Sequence, residues 1–131
     1  MYYQKQNRNT RPHRKLIAWQ KAMDLAVVTY KMVSAFPAEE RFGLASQMKR
    51  ASVSVPSNIA EGAAGRTAKA FLNYLLQADG SQAELDTQLE LSRRLGYSTV
   101  EQLAAAEALL DETSALVGGL KRSQRKLDAS V

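Results

Sequence analysis

Five polar residues recur along one predicted helix, and their types could carry chemistry: Gln47, Arg50, Ser54, Asn58 and Glu61. In an α-helix they would share an arc of about 80° beside an apolar stripe. Arg50 and Glu61 are eleven residues apart, so they would lie about 16 Å apart along the axis and could not pair in one straight helix. Three interpretations stay open: a solvated face, a buried polar network at a helix or subunit interface, and a ligand or catalytic site.

Other catalytic and metal-binding patterns are poorly supported. The chain has no Cys and one His, His13, which excludes thiolate chemistry and a two-His metal site and leaves the serines without a predictable base. Only an oxygen-ligated magnesium or calcium site is conceivable among the carboxylates of Glu61, Asp79, Glu84 and Asp86. The glycines at 62 and 65 lack the Lys-Ser/Thr ending of a phosphate loop, which favours a turn. We therefore expect no enzyme activity, no cofactor and no bound metal.

Length and composition are typical of one globular domain. The chain has 131 residues, of which 45% are hydrophobic and 24% are charged. No apolar run approaches the roughly 20 residues that span a bilayer, and the first fifteen residues lack the apolar stretch of a secretory signal. We expect a cytoplasmic protein without a membrane partner.

Positive charge is concentrated at the two ends of the chain. Residues 1–15 contain five basic residues and no acidic residue, and residues 118–131 contain four basic residues and one acidic residue. Residues 16–117 contain nine basic and twelve acidic residues. Such ends either bind nucleic-acid phosphates by counterion release or only keep the protein soluble. The candidate nucleic-acid-binding residues are Lys5, Arg8, Arg11, Arg14, Lys15, Lys121, Arg122, Arg125 and Lys126.

Apolar residues recur at helical spacing from Leu16 onward. The pattern predicts four helices, covering residues 16–36, 42–65, 67–95 and 98–126. Short connections between long helices favour an all-α fold, an antiparallel up-down-up-down four-helix bundle, with the second helix kinked near Pro56. We expect a basic, disordered tail over 1–14, the bundle over 15–126 and a frayed end over 127–131.

Several local features carry more specific predictions. Ser98 and Glu101 have the spacing of a capping box at the start of the fourth helix, and Thr67 is the expected cap of the third. Gly80 lies inside the third helix, where glycine costs about 1 kcal/mol, and close approach of a neighbouring backbone would explain it. The first helix is expected to bury one face: Trp19, Met23, Ala26, Tyr30 and Val33.

The stretch from Gln47 to Gly62, QMKRASVSVPSNIAEG, resembles the signature of the proteins encoded within intervening sequences of bacterial 23S ribosomal RNA genes. Shorter matches follow the same order along the chain, over about residues 14–125. They are Trp19 to Ala22, Phe36-Pro37 with Glu40, Phe42 to Leu44, Phe71 to Leu75, Gly80-Ser81 with Glu84-Leu85, and Leu95 to Tyr97.

The resemblance implies a left-handed antiparallel bundle that assembles into a ring-shaped homopentamer of poorly defined cellular role. By position, the matched motif or interface residues are Gln47, Arg50, Ser54, Asn58, Glu61 and Gly62, with Gly80, Ser81 and Glu84 as a second set. More distant bundle relatives are basic pentamers that accompany reverse transcriptases of diversity-generating retroelements and bind nucleic acid. That likeness concerns the fold, which does not settle function.

Together these patterns favour a non-enzymatic, oligomeric bundle that binds nucleic acid, structured RNA in particular, through its basic termini. A ring would multiply weak contacts from each tail. The alternative is a structural adaptor ring that recruits a protein partner and does not touch nucleic acid.

Overall fold

Four long helices make up the fold in the computed structural model, which describes residues 11–130. They are α1 (Ile17–Val33), α2 (Leu44–Ala64), α3 (Ala68–Arg94) and α4 (Val100–Ala129), with short 3-10 helices at Pro12–Lys15 and Ala38–Glu40. Helix α1 packs against α2 and α4, and α3 packs against the same two helices. The predicted all-α four-helix bundle is confirmed, whereas its up-down-up-down order and the kink at Pro56 stay predictions.

Helix α2 runs without a break through Pro56. Gly62 lies in the last turn of α2, inside the predicted second helix, so the interpretation of Gly62 as part of a turn is corrected. The connection to α3 consists of residues 65–67.

The starts of α3 and α4 are fixed by side-chain caps. The Thr67 hydroxyl accepts a hydrogen bond from the Ala70 amide at 3.1 Å, as predicted. The capping box of α4 lies one residue later than predicted: Thr99 accepts from the Gln102 amide at 3.1 Å, and the Gln102 side chain accepts from the Thr99 amide at 2.9 Å. The prediction of Ser98 and Glu101 is wrong. Glutamine can replace glutamate as the third helical residue of a capping box, so Thr99 with Gln102 satisfies the same pattern.

Two hydrophobic clusters fill the space between the helices. One is built around the fully buried Leu25, Met48, Leu85 and Leu89, and it also contains Leu103. The other contains Val55, Ile59, Leu75 and Val117 together with two alanines of α1. Removing these side chains from water is the main force that holds the helices together.

The face that α1 buries differs from the predicted one. Ala26 and Val33 are buried as expected, but Met23 is 39% exposed and Tyr30 is 44% exposed. The remaining buried residues of α1 are Ala18, Ala22, Leu25, Thr29 and Met32. Because α1 is apolar over more than one face, its periodicity alone does not select the core, and the small alanines turn inward where the helices approach closely.

The described ends are helical over more residues than the sequence suggested. Residues 12–15, most of which fall in the predicted tail, form a 3-10 helix, and α4 continues to Ala129. The basic residues Lys5 and Arg8 lie outside the described residues. Within residues 11–130, no helix combines the length and the apolar character that crossing a membrane requires.

Candidate nucleic-acid interface

The start of α1, the start of α3 and the last turns of α4 lie side by side. Residues 15–18 line a groove together with residues 116–123 of α4, and residues 65–71 line another groove with residues 124–130. Together with residues 11–14, which directly precede the first of them, these segments carry nine basic residues, which we call the basic end: Arg11, Arg14, Lys15, Arg66, Lys69, Lys121, Arg122, Arg125 and Lys126. Seven members of the predicted tail set therefore share one end of the bundle.

Most of the basic end is exposed to solvent. All of its members except Arg14 and Lys121 are exposed. Among residues 11–130, Lys121 is the one member that forms an ion pair, with Asp79 on α3. The exposed members keep their donors available for an anion, whereas Arg14 Nε is buried and Asp128 adds a negative charge on the same turns of α4.

Arg14 is held differently from its neighbours. Its guanidinium lies over the Trp19 ring, 5.3 Å from the centroid, in a cation–π contact. The His13 ring meets the same indole edge to face, with centroids 4.9 Å apart. Partial burial, followed by the charges of Arg14 and Arg11, lowers the pKa of His13, which favours the neutral form of the ring and limits the charge that it adds to the basic end.

Sequence reasoning missed Arg66 and Lys69. The two residues lie in the connection before α3 and in its first turn, far in sequence from either terminus, yet they lie on the same groove as residues 124–130. The signal in the sequence is their position beside a predicted helix cap, Thr67. Assigning them to the basic end also requires knowing that this turn lies next to the last turns of α4.

The polar stripe of α2 divides into a bonded part and an exposed part. The Asn58 side chain donates to the Ser54 carbonyl at 2.9 Å and to the Ser54 hydroxyl at 3.0 Å. The Ser54 and Ser81 hydroxyls are joined across the α2–α3 contact at 2.7 Å. Asn58 is 9% exposed, so these three motif residues fit a polar network between two helices.

The other polar motif residues face solvent. Gln47, Arg50 and Glu61 on α2 and Glu84 on α3 are all exposed. Arg50 and Glu61 form no ion pair with residues 11–130. In the described part of the chain, no three acidic or histidine side chains come together to hold a metal ion.

The two motif glycines have different surroundings. A Cβ on Gly62 would lie 2.7 Å from Phe71 Cδ1 and 3.0 Å from Tyr74 Cβ, so glycine is required for α3 to approach α2 here. A Cβ on Gly80 would meet nothing within 4 Å. The prediction that a neighbouring backbone explains Gly80 is therefore wrong within the described residues, because this glycine lies on the outer side of α3.

An apolar face remains uncovered on α1 and α2. Met23, Val27 and Tyr30 on α1 are 39%, 50% and 44% exposed, and Val53 on α2 is 42% exposed. A groove of about 240 Å³ runs between the two helices and is lined by Trp19 and Pro56 among others. Large side chains of this kind in one patch are typical of a contact surface.

The family model of the 23S rRNA-intervening sequence protein matches residues 14–119. The chain belongs to this family. A solved structure from the S23 ribosomal protein family of Bacteroides thetaiotaomicron, itself described as a protein with unknown function, is 25% identical. It superposes with a TM-score of 0.72 and covers 80% of this chain and 98% of its own. The search of curated proteins found no match.

Proposed function

We propose that this family member is a non-enzymatic, oligomeric bundle that binds nucleic acid, structured RNA in particular, through its basic end. The observation that carries the proposal is the gathering of nine basic side chains from three segments, most of them exposed and free of ion pairs with residues 11–130. When clustered cations bind a phosphate backbone, they displace the counterions condensed on the nucleic acid, and this release favours binding. Lys5 and Arg8, which lie outside the described residues, add two further positive charges to the proposed set.

The oligomer is proposed on a separate observation. The uncovered α1–α2 face presents Met23, Val27, Tyr30 and Val53, and a second copy of the chain would remove these side chains from water. A homopentameric ring, which the family resemblance implies, would carry five basic ends and raise the avidity for one RNA molecule.

Sedimentation of the purified full chain, with and without nuclease treatment, tests both parts. We expect a mass several times that of one chain that persists after nuclease, and a loss of co-purifying nucleic acid after it. In Val27→Lys the mass should fall while the helical signal by circular dichroism stays unchanged. Val100→Lys is the control, since Val100 is 79% exposed on another part of the molecule.

RNA affinity measured over a range of salt concentrations separates the proposal from its alternative. Binding through the basic end should weaken steeply as salt rises. If no RNA binding is detected even at low salt while the oligomer persists, the alternative function is favoured instead: a structural adaptor ring that recruits a protein partner.

A further inference from the structure

A groove of about 710 Å³ lies within the basic end, between the first turn of α3 and the last two turns of α4. Its volume is within the range of about 300–1,000 Å³ that is common for small-molecule sites. Its walls are formed by Arg66, Lys69 and Phe71 on one side and by Gln124, Leu127 and Asp128 on the other.

The two walls differ in chemistry. Arg66 and Lys69 on the α3 wall are exposed cations, which suit a phosphate. Gln124 and Asp128 on the α4 wall offer an amide and a carboxylate, and both groups can form hydrogen bonds with the polar edge of a base. The Asp128 carboxylate would repel a phosphate. An anionic group is therefore expected against α3 and a neutral polar group against α4.

Apolar surface lies between these polar groups. The Phe71 ring lines the groove from the core side, where it packs against Gly62. Leu127 lies opposite and is 55% exposed, whereas Val117, ten residues earlier on the same helix, is fully buried. Since the fold does not bury Leu127, its position beside cations fits a ligand that is apolar on its faces and charged at one end.

We propose that the groove takes an unpaired nucleotide of a single-stranded segment, with its phosphate at Arg66 and Lys69 and its base between Phe71 and Leu127. The proposal rests on the proposed function and adds that the nucleic acid is recognised where it is not base-paired. In a duplex the base faces are stacked on one another, whereas a single strand exposes them to apolar and aromatic side chains. The chain's own residues 1–10 are a poor alternative occupant, because they carry Lys5 and Arg8 and no acidic residue.

The test compares the full chain with single-residue variants in fluorescence anisotropy titrations. The probes are a labelled twelve-nucleotide single-stranded RNA, the blunt duplex of the same sequence, and a labelled adenosine monophosphate. The variants are Leu127→Gln, Lys69→Gln and Leu95→Gln. Leu95→Gln is the control for replacing an exposed leucine, because Leu95 is 48% exposed and lies in the connection from α3 to α4, at the opposite end of the bundle.

Leu127→Gln should weaken single-strand binding about 5-fold, at the low end of what one base contact contributes, and leave duplex binding unchanged. Lys69→Gln should weaken both, and Leu95→Gln neither. Equal effects of Leu127→Gln on the two RNA probes, or no effect on either, would overturn the groove proposal while leaving RNA binding intact. Binding of the monophosphate as tight as that of the single strand would assign the groove to a free nucleotide instead and also overturn it. Failure of both RNA probes to bind at low salt would refute the proposed function itself.

Discussion

The two ends of the bundle use charge in different ways. At the basic end, cations from three segments lie together and only Lys121 is paired with an acid in residues 11–130. At the opposite end, where α3 gives way to α4, Arg93 lies between Glu90 and Glu107, and Arg94 pairs with Glu90 at 3.0 Å. Pairing holds the pKa of Glu90 below its usual range, chiefly through the Arg94 and Arg93 side chains.

The opposite end is also held together by hydrogen bonds and a ring contact that involve its two connections. The Tyr97 hydroxyl donates to Glu40 Oε2 at 3.0 Å, and Glu40 Oε1 accepts from the Leu44 amide at 3.1 Å. The Phe36 and Tyr97 rings lie 5.3 Å apart. The polar groups of this end therefore stabilise its own structure, whereas most cations of the basic end stay available to an anion.

Charge reversal should show the largest difference between the ends. Lys69→Glu with Arg125→Glu is expected to reduce RNA affinity about 100-fold at low salt and to flatten its salt dependence, because two phosphate contacts are lost. The matched variant at the opposite end, Arg93→Glu with Arg94→Glu, should change RNA affinity less than about 5-fold, since it removes cations that are already neutralised. Anisotropy titrations at several salt concentrations measure both, and equal losses would contradict the assignment of the interface to the basic end.

The approach of α2 to α3 near the basic end gives the second prediction. Gly62→Ala should lower the free energy of unfolding by about 1–3 kcal/mol, because the added methyl overlaps Phe71 and the core cannot yield freely. Urea unfolding followed by circular dichroism measures the change.

Gly80→Ala is the matched control on α3. Its added methyl meets nothing within 4 Å, so it should raise the free energy of unfolding by up to about 1 kcal/mol through helix propensity. A large loss of stability in Gly80→Ala would mean that another molecule packs against that surface under the conditions of the measurement.

The opposite end provides the third prediction. Tyr97→Phe should reduce the free energy of unfolding by about 1 kcal/mol, since it removes one hydrogen bond to a charged carboxylate, and should leave RNA affinity unchanged. A change in RNA affinity would show that the two ends are coupled.

The smallest effect is expected from pH. Because the folded protein lowers the pKa of His13, the unfolded chain binds the proton more tightly, and stability should decline as the pH falls below about 6.5. His13→Gln should remove this component of the decline in melting temperature. Bound RNA should raise the pKa of His13 in NMR titrations, because the phosphate charge offsets the positive charges of Arg14 and Arg11. An unchanged pKa would argue against RNA contact near His13.

Much of the fold was predictable because helical periodicity and capping are local properties. Thr67 acts as the predicted cap, and the start of α4 was missed by one residue because Ser98 and Thr99 are chemically similar candidates. The buried face of α1 was predicted less well. Met23 and Tyr30 satisfy the same spacing as Leu25 and Met32, and only the neighbouring helices select between the two faces.

The candidate site was predicted in part. The basic residues near the two termini were found by composition, but their gathering with Arg66 and Lys69 depends on which helix ends are neighbours. The polar stripe of α2 was found by periodicity, and its division into the bonded Ser54–Asn58 pair and the exposed Arg50 and Glu61 depends on where α3 crosses it.

Residue type and short-range spacing are enough to predict that the chain is helical, that it lacks thiol chemistry and that its positive charge lies near its ends. Which apolar face of α1 stays uncovered, and which cations share one groove, follows only from the packed helices. Those properties depend on contacts between residues that are distant in the chain, and such contacts are selected by how well whole helices pack against one another.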